Sequence, residues 1–128
     1  MSRDLSRLLQ ERTFLTSAGT ETYLIFQQGF DLPEFCGFVV FEDPEAWSAL
    51  EQNYLGPILQ VAAERGHGLI VDALVWRAQP DFITQLGRAP DELAAINAQA
   101  VSRTRESVER WRQGKERTAR ELPFRLRR

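Results

Sequence analysis

The stretch GHGLIVDALVWRAQPDF, residues 66–82, decides the fold that the sequence predicts. Its apolar part, from Leu69 to Trp76, is short, rich in β-branched residues and bounded by glycines and a proline, which is typical of a strand buried on both faces of a parallel sheet. Long helical patterns lie on both sides of it. In α/β folds, which alternate strands and helices, the chemistry lies at the carboxyl ends of the strands. We therefore expect functional residues between Val75 and Gln79.

The rest of the chain predicts one earlier strand and several helices. Phe14-Leu15-Thr16 is a strand candidate, and the small residues that follow at 17–20 form a turn where backbone can approach a ligand. Asp43 and Pro44 begin one helix, and the longest helix is expected over 91–113. The predicted buried face of that longest helix consists of Ala94, Ala95, Ala98, Val101 and Val108. The residues alone therefore predict an α/β fold with about two strand–helix units.

The composition excludes several classes of protein. The chain has 128 residues, of which 43% are apolar and 27% charged, as in ordinary soluble domains. It has no apolar run near the roughly 20 residues that span a bilayer, and its start has no signal peptide core. We therefore expect a cytoplasmic protein with no membrane partner. One cysteine, Cys36, and one histidine, His67, exclude an internal disulfide and a Cys/His zinc site built from this chain alone.

The charges are distributed unevenly along the chain. Residues 1–102 hold 6 basic and 14 acidic side chains, whereas residues 103–128 hold 10 basic and 4 acidic ones. A basic tail can bind nucleic acid. This tail lacks the interleaved aromatic residues of single-strand binders. Nucleic-acid binding is therefore the weaker alternative.

Three side chains of the central stretch are candidates for chemistry. Asp72 lies within the predicted strand, where a carboxylate needs a partner, and Arg77 is the candidate partner. Trp76 and Arg77 end the strand and offer an aromatic wall and a cation for a carboxylate ligand. The alternative is a core tryptophan and a surface arginine. No nucleotide-binding loop, nucleophile elbow or metal-binding helix motif is present in the sequence, so spacing alone predicts a pocket without a reaction.

Five pieces of the sequence, taken in order, resemble the amino-terminal part of the homocysteine S-methyltransferase family. They are FLTSAGTET at 14–22, GFDLP at 29–33, the Asp43-Pro44 pair, VWRA at 75–78 and LAAINAQAV at 93–101. The resemblance covers about residues 13–110. It implies a (β/α)8 barrel that transfers a methyl group to the thiol of homocysteine, which a zinc ion on three cysteines holds as a thiolate.

The departures from the family limit what the resemblance implies. The family's first strand ends in Asp-Gly-Gly or Asp-Gly-Ala, whose aspartate helps to hold the amino acid, and here Ser17-Ala18-Gly19 stands there. The family's second strand carries a Thr-x-Thr-aromatic run, and here 73–79 reads ALVWRAQ. The zinc cysteines of the family lie beyond residue 128, and Cys36 matches none of them. We therefore expect a partial (β/α)8 TIM-barrel-like segment, truncated, without a cofactor of its own and without independent catalysis.

The resemblance also implies the ligand and its site. The implied ligand is an amino acid of the homocysteine type, which we expect to bind weakly or not at all because Ser17 replaces the aspartate of the family. The predicted substrate-binding residues are Ser17, Gly19, Glu21, Trp76 and Arg77. The chain divides into a polar arm or helix at 1–12, the methyltransferase-like part at 13–113 and a basic tail at 114–128. The competing interpretation is a non-catalytic interaction or assembly module. Self-association is expected in either case, because two strands leave sheet edges with unpaired backbone groups.

Overall fold

The computed structural model describes residues 4–121 of the chain, and side chains within 4–115, and most of these residues are helical. The helices are α1 (Leu5–Glu11), α2 (Thr20–Phe26), α3 (Pro44–Leu50), α4 (Gly56–Glu64), α5 (Pro80–Gln85) and α6 (Leu93–Glu121). The strands are β1 (Phe14–Thr16) and β2 (Gly68–Ile70). Turns of 3₁₀ helix span Pro33–Phe35, Gly37–Phe41 and Pro90–Glu92, and a π-helical turn spans Glu51–Leu55.

The predicted fold class is wrong. Residues 4–121 contain only two strands, of three residues each, which pair in parallel with Leu15 opposite Leu69. All the other regular elements are helices, so the chain forms a small helical domain and not a partial TIM-barrel-like segment of an α/β fold. The part of the predicted basic tail that is described, 114–121, continues α6, and 122–128 lies outside the described residues.

The second strand is short because the backbone changes direction soon after it. The strand predicted from Leu69 to Trp76 ends at Ile70. Leu74 has a φ of 54°, in the left-handed region that a leucine rarely adopts and that a strand cannot contain. Its side chain is nonetheless buried in the helical core. A short apolar run suits a buried strand and a buried irregular segment equally well, so its composition alone gave the wrong structure.

The core lies between the helices and the aromatic segment before α3, which is the 3₁₀ turn Gly37–Phe41. Asp43 begins α3 as predicted, because its carboxylate accepts hydrogen bonds from the N–H groups of Glu45 and Ala46 and Pro44 follows at the first helical position. Phe41 stacks at a tilt on Trp47, with ring centroids 4.8 Å apart. The buried cluster consists of Leu24, Leu32, Cys36, Phe38, Val40, Phe41, Ala46, Trp47, Leu50, Leu74, Ala78, Ile83, Ile96 and Ala100.

The longest helix buries a different face from the predicted one. Four residues of α6 are buried, at helical spacing: Ile96, Ala100, Thr104 and Ser107. The predicted face is exposed at Ala94, Ala95, Ala98 and Val101 and half-buried at Val108. Two hydroxyl side chains complete the true face, and a pattern of apolar residues cannot reveal them. Within the described residues no helix, α6 included, combines the length and the apolar character needed to cross a bilayer.

Replacing Gly68 by alanine should destabilise the domain. Phe14 lies opposite Gly68 in the sheet, and a Cβ atom on Gly68 would lie 2.3 Å from the Phe14 ring. Overpacking of this kind costs roughly 1–3 kcal/mol. Urea unfolding of Gly68→Ala measures the loss. Gly114→Ala in α6 is the control, because a Cβ there meets no heavy atom within 4 Å. Equal stability of Gly68→Ala and the parent would show that the ring does not pack on Gly68.

The thiol of Cys36 should be unreactive until the protein unfolds. Its side chain is fully buried, and burial raises the pKa of the thiol, although Arg77 opposes the shift. The thiolate is the reactive form. Alkylation at pH 8 should be on the order of tenfold or more slower than that of glutathione, and it should reach the glutathione rate in denaturing urea. Equal rates for the native protein and glutathione would contradict the burial.

The raised pKa also gives the sign of a pH effect. A group whose pKa is higher in the folded state stabilises the fold below its pKa in the unfolded chain, and that contribution is lost as the pH rises towards the folded value. Cys36 should therefore contribute to a fall in stability at alkaline pH.

Candidate ligand-binding site

The two parallel strands bring two loops together at their carboxyl ends. The N–H of Ser17, just after β1, donates to the C=O of Ile70 at the end of β2 at 3.0 Å. The hydroxyl of Ser17 accepts a hydrogen bond from the N–H of Asp72 at 2.8 Å and donates to the Asp72 carboxylate at 3.2 Å. Ser17 is buried, so this pairing fixes the backbone of one loop against the other.

Asp72 therefore has a different partner from the predicted one. Arg77 donates to the backbone C=O of Glu34 at 2.9 Å, and no hydrogen bond or ion pair between Arg77 and Asp72 is present. The guanidinium of Arg77 lies 4.6 Å from the ring centroid of Trp76 and 4.5 Å from that of Phe82. These cation–π contacts hold the positive charge among aromatic rings.

A cleft of about 400 Å³ opens beside the joined loops. Its lining residues are Gly19, Thr20, Glu21, Asp72, Ala73, Leu74, Val75 and Trp76. This volume falls within the usual range for small-molecule sites, roughly 300–1,000 Å³. A separate cavity lined by Ser17, Thr20, Asp72 and core residues measures only about 20 Å³, which is enough for about one water molecule. A further groove of about 570 Å³ has no carboxylate or basic side chain in its lining. The 400 Å³ cleft is the candidate site because it combines sufficient volume with charged side chains.

The charged side chains that line the cleft are both acidic. They are Glu21, in the first turn of α2, and Asp72, held by Ser17. Glu21 is half-buried against Gly37, where an added Cβ would lie 3.1 Å from the Glu21 carboxylate. Trp76 adds a large ring that is 62% exposed. Two carboxylates, without a basic side chain in the lining, suit a positively charged group such as an ammonium. The Trp76 ring already contacts the Arg77 guanidinium, so the carboxylates are the groups that would bind it.

The structure brings some of the predicted site residues together and separates others. Gly19, Glu21 and Trp76 line the cleft. Ser17 does not line it, but the Ser17 hydroxyl holds Asp72, which does. Arg77 lies outside the lining, with its guanidinium turned to the Glu34 carbonyl.

Sequence reasoning missed the role of Tyr54. Its hydroxyl donates to the C=O of Ala18 at 2.7 Å and accepts from the N–H of Ala18 at 3.0 Å. Tyr54 lies in the π-helical turn between α3 and α4, 36 residues from Ala18 in the chain. No spacing rule could connect the two residues, because their contact depends on how the helices pack.

The zinc ion that the resemblance implies has no fitting set of ligands in the described residues. No group of three or more His, Cys, Asp or Glu side chains within 4–115 is close enough together to hold a metal ion. Cys36 is buried in the core and does not line the cleft. The donor set of the described residues therefore does not match a zinc site of three cysteines.

Comparison with known proteins leaves the family open. The sequence matches no protein-family model, no curated protein and no solved structure. The resemblance to homocysteine S-methyltransferases is thus a hypothesis that depends on the short pieces of sequence quoted above. The geometry of the cleft has to support any functional proposal.

Proposed function

We propose that this chain is a homocysteine S-methyltransferase-like protein, located in the cytoplasm, that binds an amino acid of the homocysteine type. The observation that carries the proposal is the acidic cleft, in which Glu21 and Asp72 face one space beside the Trp76 ring. The sequence resemblance at 14–22 and 75–78 supports the same ligand, because both pieces supply lining residues.

The ammonium group of the ligand is the part that this cleft recognises. Charge-assisted hydrogen bonds from an ammonium to the carboxylates of Glu21 and Asp72 are among the strongest that a protein side chain makes. Each contributes roughly 1.5–3 kcal/mol. The open cleft and the cost of ordering a small ligand offset part of that gain. We therefore expect a Kd on the order of a millimolar.

Asp72 takes over a task that the family gives to another residue. The resemblance places the ligand-holding aspartate of the family at the position of Ser17. Here the Ser17 hydroxyl orients the carboxylate of Asp72 instead. The negative charge that would hold the ligand's ammonium group is thus supplied by Asp72, from the loop after β2. We do not expect methyl transfer by this chain alone, because the lining of the cleft has no cysteine, histidine or basic side chain that could stabilise a thiolate.

Neutralising either carboxylate should weaken homocysteine binding. Glu21→Gln and Asp72→Asn should each raise the Kd about tenfold or more, because each removes one charge-assisted hydrogen bond. Titration followed by NMR of the ¹⁵N-labelled protein measures the Kd. The matched control is Glu45→Gln, since Glu45, like Glu21, lies in the first turn of a helix but is exposed and does not line the cleft.

The ligand supplies a second control for the same prediction. N-acetylhomocysteine lacks the ammonium group and should not bind at concentrations that saturate the protein with homocysteine. Equal binding of the acetylated and free amino acids, or unchanged Kd values in both carboxylate variants, would contradict recognition of the ammonium.

A second candidate function is self-assembly. Its support is the sheet, which has only two strands in the described part of the chain and so leaves an outward edge on each. Ile70 at the end of β2 is 43% exposed, and Val61 on α4 is 50% exposed. Unprotected strand edges with exposed apolar neighbours favour pairing between chains. A second copy of this chain, paired along β2, is the expected partner.

Sedimentation velocity at several concentrations should detect the association. We expect the parent chain to sediment faster as its concentration rises, and Ile70→Lys to remain a monomer, because a lysine at a strand edge opposes pairing. Val101→Lys is the control, since Val101 has a similar exposure, 45%, but lies on α6. A parent that stays monomeric at all concentrations would refute the assembly.

A further inference from the structure

We infer that Tyr54 is a positioning residue for the cleft, acting through the loop at 17–19 on the carboxylate of Asp72. The inference rests on the proposed function. The Tyr54 hydroxyl makes two hydrogen bonds to Ala18, one to each of its backbone polar groups, at 2.7 and 3.0 Å. The next residue towards β1, Ser17, holds Asp72, and the next towards α2, Gly19, lines the cleft.

Hydrogen bonds hold the two ends of the loop, at Ser17 and at the C=O of Gly19, and Tyr54 holds its middle residue, Ala18. Ala18 is exposed, and Gly19 has a φ of 63°, in the region that glycine adopts freely. Small side chains and a glycine leave the backbone with considerable freedom, which must be lost for a ligand to bind in one geometry. The two hydrogen bonds between Tyr54 and Ala18 restrict the backbone before a ligand binds. A preformed site binds its ligand more tightly.

Tyr54 is itself held by an unusual turn of helix. It lies in the π-helical turn Glu51–Leu55, between α3 and α4. Such turns occur often at functional sites, because the extra residue in the turn changes the direction of side chains. The first residue of the turn, Glu51, accepts hydrogen bonds from Ser107 and Arg110 of α6. The turn is thus connected both to the longest helix and to the binding loop.

The chain contains a matched control for this tyrosine. The ring of Tyr23 lies 5.2 Å from that of Tyr54, between centroids. The Tyr23 hydroxyl donates to the C=O of Asn53 at 3.1 Å and accepts from the side chain of Gln28 at 3.1 Å. Neither partner belongs to the loop at 17–19. Tyr23→Phe therefore removes a hydroxyl from the same tyrosine pair and leaves the Tyr54 hydroxyl, with its two partners on Ala18, in the chain.

The test compares Tyr54→Phe with Tyr23→Phe, using homocysteine as the ligand and NMR titration as the readout. Loss of the Tyr54 hydroxyl should raise the Kd about three- to tenfold, and loss of the Tyr23 hydroxyl should change it less than about twofold. In an Asp72→Asn background the Tyr54→Phe change should have no further effect, because the carboxylate that it positions is already gone. If Tyr54 only stabilised the fold, Tyr54→Phe would raise the Kd by the same factor in the parent and in the Asp72→Asn variant.

Amide hydrogen exchange tests the same inference without ligand. The N–H of Asp72 is bonded to the Ser17 hydroxyl, so it should exchange faster in Tyr54→Phe and at the parental rate in Tyr23→Phe. Unchanged exchange at Asp72 in Tyr54→Phe overturns the inference, whether or not homocysteine binds. If Asp72→Asn weakens binding and Tyr54→Phe does not, the inference fails and the proposed function stands. If the parent does not bind homocysteine, the proposed function fails and exchange at Asp72 decides the inference.

Discussion

The hydrogen bonds between Ser17 and Asp72 are the contact on which the geometry of this site depends. Two strands of three residues each form a very small sheet, and such a pair has little stability of its own. Ser17 extends the pairing beyond the strands, because its backbone N–H donates to the C=O of Ile70 and its hydroxyl donates to the carboxylate of Asp72. The loops after both strands are therefore fixed relative to each other, and a cleft between them keeps one shape.

The helical core supplies the stability that the sheet lacks. The buried side chains belong mainly to α2, α3 and α6, the aromatic segment before α3 and the residues between β2 and α5. The backbone of Leu74 is in a left-handed conformation in the middle of this core. Such a conformation persists only where the surrounding packing holds it. Leu74 also lines the cleft, so the site lies where the core meets the small sheet.

The sequence predicted the local features of this structure and failed on those that depend on tertiary packing. The strand at Phe14–Thr16 and the helix start at Asp43 are confirmed, because the strand preference of Phe14 and Thr16 and the capping carboxylate of Asp43 act within a few residues. The predictions of a strand from Leu69 to Trp76 and of the buried face of α6 were wrong, because the same apolar side chains can be buried against helices or sheets. Glu21 and Trp76 line one cleft, but the hydrogen bonds between Tyr54 and Ala18 join residues that no local pattern connects.

The electrostatics of the cleft follow from where the backbone directs Arg77. The Arg77 guanidinium donates to the Glu34 carbonyl and stacks on two rings, that of Phe82 outside the lining and that of Trp76, which lines the cleft. The charged side chains of the lining itself are the carboxylates of Glu21 and Asp72. An acidic, partly aromatic space of this kind attracts an ammonium and repels a free carboxylate, so an amino acid bound there must place its carboxylate away from Glu21 and Asp72.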